Sequence, residues 1–337
     1  MEQHYPGRRP GLRFYTSHFF LRASLLLALL AGIFACAPTN DPPLRVGSNV
    51  WPGYEPLYLA RELGLYADTA IHLVELPTAT SVMHHLRNGT IEAACLTLDE
   101  FLSQLQKGLD LQVVMVMDFS RGADVLLANP AIPDLAGLRG KTIGVENTAT
   151  GAILLDGALS EARLDLADVK IKYVASGEHE KAYLRHKVDA IVTFEPVKSR
   201  LLRHGAKPLF DSSRIPERII DVLVVRKDVV DTHRRSLRKL LQGYFLARQQ
   251  MQSDPQKAAR LMAPRLGVPA GEVLALFREL SLPDLDENRR LLEGEAAPLL
   301  KSARQLARLM LANHLLTKPL ESERIQVRAD LLPEPPR

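Results

Sequence analysis

Side chains able to hold a small molecule recur in this 337-residue chain at one kind of place, the step from an apolar strand into a helix. Trp51 and Tyr54 stand in NVWPGYEPLYLARELGLY, after PLRVGSN and before Leu57, Leu59, Ala60 and Leu63 at helical spacing, with Gly64 ending the run. Flanking Pro52 and Gly53 argue for a loop there. In CLTLDEF, Thr97 or Asp99 is placed to cap the following helix. Thr148, Thr150 and Gly151 open a helix after KTIGVE, where free backbone amides favour a sulfonate, carboxylate or phosphate-like group. Glu195, in DAIVTFEP, precedes a helix started by Pro196, a position that the helix dipole stabilises for an acid. Asp118, Ser120 and Asp124 crowd MDFSRGAD after another apolar strand, and read alone the two acids are turn-formers. In open α/β sheets, turns at the carboxyl ends of strands are where small ligands bind.

The motifs of hydrolytic and nucleotide chemistry are missing. His84, His85 and the GEHEK stretch around His179 lack zinc spacing such as H-E-x-x-H, so they read as surface polar residues and no metal is expected. No Ser nucleophile elbow occurs. LAGLRGKT mimics a P-loop, but Leu135 stands where the first glycine is required, which rules out ATP binding by that motif. No cofactor and no enzymatic activity are expected.

The elements that must position these residues alternate. LRVGSNV, IHLVEL, EAACLTL, LQVVMVM, DVLLAN, KTIGVE, KIKYVA, AIVTF and VLVVRK read as strands, and residues 56–64, 79–88, 98–107, 151–162, 178–186 and 195–203 as helices. After Asp228 nearly everything reads as helix, with Pro255, Pro264 and Pro269 marking starts or turns. An α/β core with a helical tail suits two lobes, the chain leaving the first near Asp118 to Asp124 and returning near Arg218 to Leu223. The expected division is a leader over 1–35, a tether over 36–43, a first lobe over 44–120, a second over 121–220, and the first lobe's return with the C-terminal helices over 221–330.

The composition, 46% hydrophobic and 24% charged, is that of an ordinary globular protein. Arg8, Arg9, Arg13 and Arg22 precede ASLLLALLAGIFA, an apolar run of signal-peptide length. Four arginines and one glutamate in the leader carry three of the four net positive charges, so no basic stripe for nucleic acid remains. Cys36, in GIFACAPTNDPP, looks like the lipidated first residue of a bacterial lipoprotein, although Phe34 departs from the smaller residue usual there. The alternative is an ordinary signal peptide that leaves Cys36 free. Cys95 then has no partner for a disulfide and reads as a small buried hydrophobe.

Five stretches in order, GYEPLYLARELGLY, MDFSRGADVLLA, IPDLAGLRGKTIGVENTATGAILLDGAL, KVDAIVTFEPVKSRLLRHG and IIDVLVVRKDVV, resemble the periplasmic solute-binding proteins of ABC importers in the nitrate, sulfonate, taurine and thiamine-pyrimidine group. The resemblance spans most of residues 44–250. It implies the type II periplasmic-binding-protein fold: two α/β lobes, two crossing segments and a ligand cleft between them. It puts Trp51 and Tyr54 on the cleft as aromatic walls and makes Thr97 a ligand candidate. It also turns Asp118 and Ser120 to the cleft, with Asp124 ordering the crossover. Glu195 would reach toward the ligand, and Asp221, in the second crossing segment, would complete an acidic set with Asp118 and Glu195. Such a cleft favours an ammonium group or ring N–H donors over plain nitrate. The partners implied are a small-molecule ligand, an ABC permease with its ATPase, and an inner or outer membrane reached through the lipid on Cys36; the chain is expected to be a monomer. Two other roles stay open, a ligand sensor signalling to a membrane receptor and an enzyme like the thiamine-pyrimidine synthases. The latter's cysteine-rich iron motif is absent, since the chain has two cysteines.

Overall fold

The computed structural model describes residues 1–4, 7 and 42–334. The apolar leader, Cys36 and most of the tether lie outside the described residues. Residues 41–337 form one compact unit.

Short runs rich in Val, Ile and Leu make two sheets. The first holds β1 (Leu44–Ser48), β2 (Ile71–Glu75), β3 (Ala93–Thr97), the ten-residue β4 (Leu111–Ser120), β10 (Ile220–Arg226) and the two-residue β11 (Leu280–Ser281) and β12 (Gln326–Val327). Its order is β11-β4-β10-β3-β1-β2, with β12 also on β4. β1 runs parallel to β2 and β3, whereas β10 is antiparallel to β3 and β4. The second sheet runs β7 (Lys170–Tyr173), β6 (Thr142–Val145), β8 (Ala190–Phe194), β5 (Asp124–Ala128) and β9 (Lys207–Asp211) in spatial order.

The helices cover both sheets. They are α1 (Glu55–Glu62), α2 (Ala79–Arg87), α3 (Leu98–Gln106), α4 (Ala149–Ala162), α5 (His179–Leu184) and α6 (Val197–Arg203), then α7 (Arg234–Ser253), α8 (Pro255–Leu266), α9 (Ala270–Val273), α10 (Leu285–Leu292) and α11 (Pro298–Ala312). Pro255 starts α8 and Pro269 precedes α9, but Pro264 lies inside α8. There it forfeits the amide bond to the Arg260 carbonyl, three residues before Gly267 closes the helix at φ 64°.

The chain leaves the first sheet after Ser120, enters the second at Asp124, and returns between Asp211 and Ile220. The two crossing segments are tied to each other. Ser120 N donates to Ile219 O at 3.1 Å, the Ser120 and Ser212 hydroxyls lie 2.7 Å apart, and Gly122 N donates to Ser212 Oγ at 2.7 Å.

Strand β4 carries a bulge at the mouth of the cleft. Asp118 pairs with Asp221 and Val116 with Val222, which leaves Met117 as the extra residue. The Tyr244 hydroxyl of α7 takes up the Met117 carbonyl at 3.0 Å. On the outer edge β11 meets Ser120 and Phe119, while β12 meets Gln112 and Val113. Between them the buried amide of Asn288 on α10 stands in for a strand: it accepts from Val116 N at 2.7 Å and donates to Val116 O at 3.1 Å.

Candidate functional site

The strand ends converge on a cleft of about 600 Å³, measured out to its open mouth, with walls from both lobes. The bulge in β4 puts Thr97, Asp221 and Asp118 in one row across β3, β10 and β4. The NVWPGY turn lies against this row. Trp51 Nε1 donates to Asp118 Oδ2 at 3.0 Å, and the Tyr54 hydroxyl donates to Asp221 Oδ1. Gly53 is required there, because a Cβ would come within 1.7 Å of Asp118 Oδ2. Trp51 meets Phe194 of the second lobe edge-on, with ring centroids 5.8 Å apart.

Arg265 of α8 fixes this turn from behind. Its guanidinium pairs with buried Glu55, donates to Asn49 O at 2.9 Å and lies 3.5 Å from the centre of the Tyr58 ring. Burial, the larger influence, raises the Glu55 carboxyl to about 7 even though Arg265 pulls it down.

Asp118 and Asp221 are side by side and buried. Burial raises both, and the charge of Asp118 raises Asp221 further. Asp221 reaches the cleft surface; Asp118 lies behind it, held by Trp51. Ser120 is likewise off the cleft, its hydroxyl engaged with Ser212 in the crossing. Glu195 also stays off the lining: its carboxylate accepts from Ser199 N at 3.1 Å and from Ser199 Oγ at 2.9 Å, closing the first turn of α6. Asp118, Ser120 and Glu195, expected to face the cleft, are thus engaged in this structure by Trp51, Ser212 and Ser199.

Trp51, Tyr54, Thr97, Thr148, Thr150, Gly151 and Asp221 do come together on the cleft walls. Thr148 caps α4 by accepting from Gly151 N at 3.2 Å. Gly151 allows that helix to approach its strand, since a Cβ would meet Glu146 O at 2.9 Å and Val145 Cγ2 at 2.7 Å. Thr97 and Thr150 join the lobes, their hydroxyl oxygens 3.0 Å apart, and Thr150 Oγ1 donates to Asp99 Oδ2 at 2.9 Å.

Among the lining residues that the sequence reading of the site does not include, four are titratable. Asp124 was assigned to the crossover, yet it lines the cleft. Glu100, Glu146 and His179 line it as well. Glu146 ends β6 just before α4, and His179 starts α5 after β7, so the rule that pointed to Trp51 also reaches them. His179 is buried, not a surface residue: it bonds Thr193 Oγ1 and Val174 O at 3.2 Å each, and burial pushes its pKa down to about 4. Burial pushes Asp124 and Glu146 up to about 7, and it raises Glu100, with Asp99 adding to the effect. Among the described residues, no group of His, Cys, Asp and Glu has a geometry that could hold a metal ion.

Three solved structures show the same fold. The alkanesulfonate-binding protein SsuA from Xanthomonas axonopodis pv. citri, bound to MOPS, is 21% identical, with a TM-score of 0.73 over 86% of this chain and 99% of that one. The periplasmic aliphatic sulphonate binding protein SsuA from Escherichia coli is 20% identical, with a TM-score of 0.69 over 84% of this chain and 91% of that one. The periplasmic nitrate-binding protein NrtA from Synechocystis PCC 6803 is 13% identical, with a TM-score of 0.68 over 88% of each chain. No curated protein matches the sequence. The two mixed sheets, the paired crossings and the cleft between lobes make this the type II periplasmic-binding-protein fold, and residues 37–267 match the NMT1-like family, to which the chain belongs.

Proposed function

We propose that this chain is the extracytoplasmic solute-binding lipoprotein of an ABC importer. It captures a small polar organic ligand, of sulfonate or taurine type, amine-bearing or pyrimidine, in the interlobe cleft and hands it to a membrane permease with its ATPase. The observation that carries this reading is the division of the cleft between two lobes that meet through Thr97 and Thr150. A ligand gripped from both sides favours the closed arrangement by its differential contacts, and no bond need be made or broken. Trp51, Tyr54, Thr97, Thr148, Thr150, Gly151 and Asp221 form the contact surface, with Asp124, Glu146 and His179 added. Asp118, Ser120 and Glu195 act on the ligand through the residues they hold. The lipid on Cys36 keeps the protein, as a monomer, at the periplasmic face of its membrane.

The test is a thermal-shift screen of residues 37–337 against sulfonates, amino acids, polyamines, pyrimidines and nitrate. A ligand at about a hundred times its Kd stabilises by about 2.7 kcal/mol. A shift with one class, accompanied by a smaller radius of gyration in solution scattering and lost in Trp51→Ala, supports capture by closure. A folded protein that responds to none of them, in either readout, removes the reading.

A further inference from the structure

The N-terminus of α4 is where an anionic ligand group would be expected to sit, and the chain has already filled it. Asp99, at the start of α3 in the first lobe, is wholly buried and spans to the second lobe. Its Oδ2 accepts from Thr150 Oγ1 at 2.9 Å; burial raises this carboxyl to about 6, the Thr150 hydroxyl and backbone amide pull it down, and Oδ1 has no hydrogen-bond partner. A helix N-terminus holds one carboxylate well, and a second anion beside the first would be repelled.

The rest of the cleft offers an anion only neutral donors, such as Asn49, Thr148 and Thr193. Glu100, Asp124, Glu146 and Asp221 are among its lining residues, with no Lys or Arg among the described residues there. Lys198 is committed elsewhere, to Gly122 O at 2.9 Å and to Glu279. Asp124 and Glu146 are 7% and 9% exposed, and Asp124 Oδ2 and Glu146 Oε1 are buried without a hydrogen-bond partner. Two carboxyls on the second lobe thus each turn an unpaired oxygen to the space that a ligand would enter. N–H donors with positive charge are what would satisfy them.

We propose that the cleft takes a small organic cation, of ammonium or amidinium type, held by Asp124 and Glu146, and that Asp99 excludes sulfonate and nitrate groups by occupying the seat on α4. This deepens the solute-binding reading and rests on it. Asp99 is thereby a specificity-determining residue: it supplies from within the chain the interlobe anionic bridge that a sulfonate ligand would otherwise provide.

The experiment measures thermal shifts of residues 37–337 with methylammonium, acetamidinium, methanesulfonate and nitrate at matched ionic strength. The wild-type chain should be stabilised by the two cations only, and Glu146→Gln should lose that response. Asp99→Ala should gain affinity for methanesulfonate by about tenfold or more, because the seat is vacated and a like charge removed. Asp99→Asn, which keeps the shape, should gain less, and it carries the test if Asp99→Ala does not fold. A wild-type shift with methanesulfonate or nitrate overturns the proposal while leaving solute capture standing. So does a folded Asp99 variant that gains nothing. Silence toward both cations also overturns it, and capture is then judged by the wider ligand screen.

Discussion

Raising the pH should destabilise this protein in a range where most globular proteins are indifferent. Asp124 and Glu146 are each pushed up to about 7 by burial, against about 4 for an unfolded carboxyl. The folded state therefore binds their protons more tightly than the unfolded state does. Stability from this source is whole below about pH 4 and is lost as the pH rises through 7. His179, lowered to about 4 by burial, acts in the opposite direction, but only about 0.4 kcal/mol of its contribution is still to come above about pH 6.5, its unfolded value. Between pH 6.5 and 8.5 the cleft carboxyls thus set the slope. One carboxyl raised from about 4 to about 7 costs about 0.8 kcal/mol over that interval, the larger part of its effect falling between about pH 4 and 6.5. Because its neighbours titrate with it, one group's worth is the expected size, a fall in Tm of about 2–3 °C for a chain of this length. Calorimetry of residues 37–337 without ligand at fixed ionic strength measures it, with Asp124→Asn and Glu146→Gln as controls that flatten the slope. A Tm that is level or rises from pH 6.5 to 8.5 refutes the reasoning, as does an unchanged slope in both variants.

Asn288→Ala strips two buried backbone groups of Val116 of their partners and should cost about 2–5 kcal/mol in urea unfolding with an unchanged m-value. Glu55→Ala leaves buried Arg265 with only the half-exposed Glu75 as partner and should cost about 3 kcal/mol, much of it recovered when Arg265→Met is added. Gly53→Ala drives a methyl into Asp118 and breaks its bond to Trp51. Since the chain has one tryptophan, its fluorescence should shift and its accessibility to acrylamide should rise; an unaltered spectrum would mean that Asp118 moves aside freely.

Strands that are apolar and continuous were legible in the sequence. AIVTF coincides with β8, and LQVVMVM marks most of β4. The helices at 79–88 and 98–107 are likewise present within a residue or two. The unread strands are those that propensity argues against: β9 contains Pro208 on a sheet edge, and β11 and β12 have two residues each. Within the site, positions at strand ends could be read, but the directions of their side chains could not. Glu195 and Ser120 look available in one dimension because their partners, Ser199 and Ser212, are as ordinary as they are. Asp99 was read as a cap; its approach to Thr150 joins residues 51 apart in the chain and depends on how the two lobes meet.

The bracing of β4 by the end of the chain dictates an order of assembly. Val116 waits for Asn288, 172 residues later, and Gln112 for Gln326, 214 residues later, at 2.7 Å in each case. A first lobe whose longest strand is completed by its last segments cannot finish folding on the ribosome until synthesis is nearly over. If the chain is exported as proposed above, such lateness has a use: the emerging chain stays loose enough to be threaded through a translocon, and the binding cleft takes shape on the far side.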